Sequence, residues 1–325
     1  MRCAVLKWLI VALIAGGSNS FVWAGKPIVP GTGVEITKVG DDFEGDSWQY
    51  FPKHPKSSRN IDKKERMPLA TSANGRWMEG PHRGTPDLVK RVPTPPEGLP
   101  GSEYSLLIRT QRPGVPKKPT MEPQQDDLMI KVRRRLGRSL SPKLCPRSVV
   151  RVYVPPFDRW ENRTGASFGY RIDCWGTRPG EKPDDLTQYW PGIFFNFRSE
   201  TSRRFEEDSA FLTIRGDQRG RDLRGPEITP GWWTLGMSLS PDGQCHFFVK
   251  RGLGELTEED CLGSHFCYGY RADRFDLVFF NIVTFDNGQV PSTPWIIDDP
   301  KVYYIPQTAS RDFIQRRARQ SSYRR

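Results

Sequence analysis

The stretch GWWTLGMSLSPDGQCHFFVKRG, from Gly231 to Gly252, restricts the fold more than any other part of the chain. Leu235, Met237 and Leu239 alternate with Thr234, Gly236 and Ser238, which gives a strand one apolar face. Pro241-Asp242-Gly243 then turns the chain, because proline presets the first turn position and glycine is free to take positive φ. Phe247 and Val249 alternate with His246, Phe248 and Lys250 on the way back, with Phe248 on the face opposite the stripe. The spacing predicts an antiparallel hairpin in a sheet. Trp232 and Trp233 are adjacent and must point to opposite faces, so at least one belongs to a core.

The same pattern of short apolar runs bounded by turn residues recurs at 34–43, 104–110, 149–154, 167–174, 192–197, 210–215, 276–285 and 295–304. With the two hairpin strands, that makes about ten strands and argues for an all-β sandwich or barrel. Residues 25–310 are expected to form one domain, with Pro/Gly/charge-rich loop insertions at 52–101 and 111–123. Between these insertions and the next strand, Leu128, Val132, Leu136 and Leu140 repeat every four residues and suggest a short amphipathic helix; alternation at Met129, Lys131 and Arg133 competes with it. Thr257 followed by acids predicts one capped helical turn within Leu256–Leu262.

Residues 1–24 read as a secretory signal peptide: Arg2 and Lys7, an apolar run from Trp8 to Ala15, then Val22-Trp23-Ala24 before Gly25. The expected location is therefore exported, periplasmic or extracellular. Of the net charge of +11, the leader holds two positive charges and the tail 311–325 a net five, which leaves +4 for the folded part. The tail reads as a basic, solvated segment that is also able to contact acidic envelope polymers. Zinc-finger spacings and the aromatic RNA-binding strand signature are absent, so nucleic acid is not the expected partner. No later segment reaches the length of an apolar membrane span. Five cysteines remain after Cys3, and Cys261 and Cys267 bracket a short glycine-containing loop as the expected disulfide.

Three segments occur in a telling order: GDDFEGDSW from Gly40 to Trp48, the hairpin, and PWIIDDPKVYY from Pro294 to Tyr304. The chain resembles the concanavalin A-like (laminin-G-like) jelly roll of secreted lectins, glucanases and carbohydrate-binding modules. The whole is similar to exported proteins of glycan-degrading environmental bacteria. The resemblance implies a jelly-roll sandwich whose first and last strands are neighbours and whose partner is a polysaccharide or other glycan. It also implies a structural Ca²⁺ as a possible cofactor, for which Asp42, Glu44, Asp298 and Asp299 are the candidate ligands. The competing reading is that these acids are satisfied by Arg, Lys or backbone.

Catalysis finds little support in the residues. Retaining glucanases of this fold need alternating carboxylates about 5–5.5 Å apart, and no Glu-x-Asp-x-Glu spacing occurs. Lyases of the fold use Arg-x-Glu-x-Arg, whereas Arg198, Glu200 and Arg203 miss that spacing and no Gln-x-His is present. Sugar recognition needs planar apolar faces and polar groups for hydroxyls. Trp77 with Arg76, Trp160, Trp175 and Trp190 sit beside Gly, Pro or charged residues and are the candidate ligand contacts; alternatively they plug the ends of the sandwich. The leading expectation is an exported non-catalytic carbohydrate-binding protein. A glycan hydrolase or lyase with a non-standard catalytic set, and a structural or adhesive envelope protein, are the alternatives. The hairpin itself reads as scaffold.

Overall fold

The computed structural model describes residues 26–53, 69–81, 83–113, 120–285, 287 and 289–306. The leader 1–24, the tail 311–325 and His82 lie outside the described residues, as do parts of both loop insertions. The architecture is an all-β sandwich of two antiparallel sheets with eight strands each.

The first sheet contains β1 (Val34–Glu35), β3 (Leu88–Pro93), β4 (Tyr104–Arg109), β6 (Arg147–Val154), β12 (Gly231–Leu239), β13 (Cys245–Arg251), β14 (Cys261–His265) and β16 (Trp295–Tyr304). Its order is β14-β13-β12-β6-β16-β4-β3, with β1 also on β16, so the first and last strands are neighbours. The second sheet contains β2 (Trp77–Glu79), β5 (Pro123–Ile130), β7 (Ser167–Thr177), β8 (Thr187–Tyr189), β9 (Gly192–Arg198), β10 (Ser209–Ile214), β11 (Leu223–Ile228) and β15 (Arg271–Phe285). Its order is β11-β10-β9-β7-β15-β5-β2, with β8 also on β7.

The hairpin forms as predicted, with Leu235 opposite Val249 and Leu239 opposite Cys245. Gly243 takes φ 83° and donates its N–H to Ser240 O at 2.8 Å, which closes the turn. Leu235, Met237 and Leu239 are fully buried between the sheets, with Val150 and Val152 beside them and Phe168, Tyr170, Ile172 and Cys174 in the same core. Trp295 fills the middle, its ring stacked on Phe168 at 4.7 Å and on Phe195 at 6.0 Å. Burying one such side chain stabilises the fold by roughly 1.5–3 kcal/mol. Trp233 points into this core and Trp232 points out, packing on Tyr153 at 5.4 Å.

The outer face of the first sheet is roofed. Val29 and Leu256 pack on Phe248 and Val149, and Arg147 donates to Thr32 Oγ1 at 3.0 Å. His246, on the same outer face of β13 as Phe248, is fully buried, with Nδ1 2.6 Å from Ser264 Oγ. Burial pushes its pKa down to about 4. The hairpin is thus scaffold on both faces.

Three local expectations are corrected. Residues 52–101 carry β2 and β3 rather than loop alone. The four-residue repeat at 128–140 loses to alternation: Leu128 and Ile130 point into the core from β5, and only α1 (Val132–Leu136) is helical, ended by Gly137. The DDFE segment is irregular rather than a strand, and Phe43 takes φ 62° with its ring buried against Trp48 and Trp77. The expected turn after Thr257 forms as Glu258–Asp260, with Thr257 and Asp260 in a reciprocal capping box.

Candidate functional site

Strand β7 builds the site through its two-residue period. Phe168, Tyr170, Ile172 and Cys174 point into the core, so Gly169, Arg171, Asp173 and Trp175 point outward from the second sheet. Register places Phe279 beside Arg171, Leu277 beside Asp173 and Asn281 beside Gly169, all from β15. On the other side, Phe194 of β9 lies opposite Gly169, and Gln188 of β8 lies opposite Trp175.

Arg171 is only 2% exposed although it stands on an outer face. Its guanidinium lies 5.3 Å from the Phe194 ring and 5.1 Å from the Phe279 ring, and Nη2 donates to the carbonyl of Trp190 at 2.8 Å. Two glycines make room for this layer. A Cβ on Gly169 would sit 2.6 Å from the Phe194 ring, and one on Gly192 would sit 2.7 Å from Arg171 Cγ. Burial, followed by repulsion from Arg83, pushes the Arg171 pKa down to about 10. Its Nε is buried without a partner.

Asp173 accepts from Gln188 Nε2 and from Trp190 Nε1, the latter at 3.2 Å. Burial pushes its pKa up to about 7 against the pull of those two hydrogen bonds. Its second oxygen, Oδ1, is buried and unpartnered. Trp190 therefore holds both ionisable groups, Arg171 through its carbonyl and Asp173 through its indole N–H, while its own ring and that of Trp175 stay partly exposed. Farther along the same face, Asn281 donates to Asp127 at 2.6 Å, Arg83 pairs with Asp127 at 3.7 Å, and Arg198 and Arg224 lie 4.5 and 4.3 Å from the Phe211 ring. The face is a close-packed layer of planar rings and fixed polar groups.

The structure separates the four candidate tryptophans. Trp175 and Trp190 come together on this face. Trp77 is instead fully buried in the core, with Nε1 donating to Asp41 Oδ2 at 2.7 Å. Trp160 is 5% exposed, stacked on Phe197 at 4.8 Å, with Nε1 on Pro155 O at 3.0 Å. Both of these are plugs with their polar atom spent, and neither offers a ring to a ligand. Arg76 is likewise engaged, donating to Gly40 O. The residue that sequence reasoning missed is Asp41. Its Oδ2 accepts from Trp48 Nε1, Asn74 Nδ2 and Trp77 Nε1 at 2.9, 2.8 and 2.7 Å, tying the N-terminal segment to β2.

The candidate Ca²⁺ ligands are spread over separate partners. Asp42 Oδ1 accepts from Glu44 N at 3.3 Å, and Glu44 Oε1 accepts from Glu103 N and Tyr104 N at 3.0 and 3.1 Å. Asp298 accepts from Ser102 Oγ at 2.8 Å, and burial pushes its pKa up to about 6. Asp299 pairs with Arg151 at 3.2 Å and Lys301 at 2.9 Å. Among the described residues no group of three or more His, Cys, Asp or Glu side chains is arranged to hold a metal ion. All five described cysteines are thiols. Cys261 and Cys267 do not meet: Cys261 Sγ contacts Gly263 O at 3.6 Å, and Cys267 Sγ contacts His265 O at 3.7 Å.

No family model matches the chain, and no curated protein matches it. Among solved structures, it is similar to a CBM2 module of the evolved Dit of Lactobacillus casei BL23 phage J-1, with 11% identity, TM-score 0.38, and coverage of 82% of this chain and 94% of that one. It is similar to an alginate lyase from Pseudomonas aeruginosa at 8% identity and TM-score 0.39, covering 79% of this chain and 98% of that one. A glycoside hydrolase family protein from Mycobacterium thermorestibile follows at 12% identity and TM-score 0.35, covering 81% of this chain and 99% of that one. At such identities and TM-scores these are likenesses of outline that assign no ligand or activity to this chain.

Proposed function

We propose that the chain is an exported, non-catalytic carbohydrate-binding protein that receives a polysaccharide on the outer face of its second sheet. One observation carries the reading: Trp190 fixes Arg171 and Asp173 on a single face and keeps a partly exposed ring beside them. A pyranose presents an apolar ring face and a rim of hydroxyls. Trp175 and Trp190 offer planar surface to the former and the partly exposed Gln188 offers its amide to the latter, while the buried Arg171 and Asp173 hold Trp190 and Gln188 in place. The resemblance to concanavalin A-like jelly rolls and the leader-like residues 1–24 point the same way. No helix among the described residues is long and apolar enough to cross a membrane.

The test is a glycan array of neutral and carboxylated oligosaccharides on the mature protein, paired with a product-release assay on each hit. Binding without product formation is the expected result. Absence of signal on every glycan contradicts the reading.

Catalysis is the second reading, favoured by one group. Asp173, with its pKa pushed up to about 7, is poised for proton transfer near neutrality. Release of product by the wild type, lost in Asp173→Asn with binding retained, replaces the first reading with this one.

A further inference from the structure

Residues that stand opposite one another in register share a face of a sheet, and one polar row crosses the outer face of the first sheet. Arg147 of β6 stands opposite Ser238 of β12, Ser238 opposite His246 of β13, and His246 opposite Ser264 of β14. Arg147, Ser238 and His246 are each at most 1% exposed. Four polar atoms of the row are buried without a partner: Arg147 Nε and Nη2, Ser238 Oγ and His246 Nε2. All four can donate at once. With Ser264 Oγ–H donating to His246 Nδ1 across their 2.6 Å contact, the neutral ring carries its proton on Nε2.

Arg147 decides what this row takes. Its Nη1 donates to Thr32 Oγ1 at 3.0 Å and to Val29 O at 3.5 Å, both neutral acceptors from the N-terminal segment. That segment lies against the guanidinium, since a Cβ on Gly33 would stand 2.8 Å from Nη2. No carboxylate of the described residues pairs with Arg147, whereas Arg151, four residues further along the same face, has Asp299 at 3.2 Å. Burial pushes the Arg147 pKa down to about 10, which leaves it a cation at neutral pH. A buried charge without a counter-charge is strongly destabilising. Water would satisfy the hydrogen bonds of Ser238 and His246 but would not neutralise the guanidinium. We infer that Arg147, Ser238 and His246 form a buried site for a small inorganic anion of chloride size. Arg147 supplies the charge and two donors from Nε and Nη2, the edge with which a guanidinium grips an anion. Ser238 supplies a hydroxyl between Arg147 and His246. The complete burial of all three side chains restricts the ligand to a small ion. Bound there, the anion fixes Arg147 and, through Thr32 and Val29, ties the N-terminal segment to the sheet. The site lies on the other sheet from the proposed glycan surface and does not depend on it.

The test is the melting temperature of the mature protein in sodium chloride against sodium gluconate at equal ionic strength, gluconate being too large for the site. Between about 1 and about 100 mM chloride the wild type is expected to gain about 3 °C or more over the gluconate control. Arg147→Met keeps the volume of the side chain without its charge and is expected to lose the chloride-specific gain. Ser238→Ala is expected to need more chloride for the same gain. Crystals of the wild type grown in bromide give a second readout that needs no variant to fold: an anomalous peak beside Arg147 and Ser238. Equal wild-type melting temperatures in the two salts, an undiminished gain in Arg147→Met, or no bromide peak beside Arg147 overturns the inference and leaves the row to water.

Discussion

Arg171 and Trp190 are bound side chain to main chain, the guanidinium donating to the tryptophan carbonyl at 2.8 Å, while the indole N–H of the same tryptophan reaches Asp173 at 3.2 Å. Binding and stability should therefore separate between tryptophans that this sequence makes look alike. Trp77→Phe removes a buried indole donor from Asp41, and a broken bond to a buried charged acceptor costs about 1–3 kcal/mol. Thermal denaturation of this variant is expected to show the loss, with glycan affinity per folded molecule unchanged. A drop in affinity at unchanged stability would contradict the assignment of Trp77 to the core.

The buried ionisable groups make stability depend on pH in two opposite senses. Asp173 binds its proton more tightly when folded, with a pKa pushed up from 3.8 to about 7. Its contribution is fully present below about pH 4 and is lost as pH rises through about 7. His246 is the reverse, pushed down from 6.5 to about 4, so its contribution is present above about pH 6.5 and is lost as pH falls through about 4. Melting temperature should peak in mildly acidic buffer. Asp173→Asn is expected to flatten the alkaline side of the curve and leave the acidic side; an unaltered alkaline slope would remove Asp173 as its cause.

Gly169 and Gly192 keep the ring layer flat, since a methyl group at either would stand 2.6–2.7 Å from Phe194 or Arg171. Overpacking of this kind costs about 1–3 kcal/mol. Gly169→Ala and Gly192→Ala should each lower the denaturation midpoint and weaken glycan binding together, because the displaced side chains belong to the proposed surface. Wild-type midpoints in both variants would show that the layer is looser than described.

Each of Asp42, Glu44, Asp298 and Asp299 already has a protein donor. Treatment with a calcium chelator is therefore expected to leave the melting temperature unchanged. A fall of several degrees, restored by added Ca²⁺, would instead show that these carboxylates exchange their partners for a metal.

Legibility in the sequence followed the physics of each signal. Alternation and turn chemistry revealed the hairpin, β6, β7, β9, β15 and β16, because the period-2 pattern is written in the residues themselves. β2, β8 and β14 were hidden because each is five residues or fewer, whereas β3, β5 and β11 were hidden because proline, glycine and charge break their apolar pattern and register to a neighbour holds them. Trp77 and Trp160 looked like loop aromatics because their neighbours are polar and glycine-rich, and only the fold shows that Asp41 and Pro155 O take their indole N–H groups. Arg171 and Asp173 lie within the stretch 167–174 that reads as a strand, but only the packing of Phe168, Tyr170 and Ile172 in the core shows that they face outward. Their connection through Trp190 depends on how β8 returns along β7, which no local pattern encodes.

The measurement that bears most directly on the central claim is glycan affinity, by calorimetric titration with the best array hit, in the wild type, Trp190→Ala and Trp77→Phe. The account predicts that Trp190→Ala weakens binding at least tenfold, about 1.4 kcal/mol, while Trp77→Phe binds as the wild type does. Equal affinity in wild type and Trp190→Ala would contradict the placement of the ligand on the outer face of the second sheet.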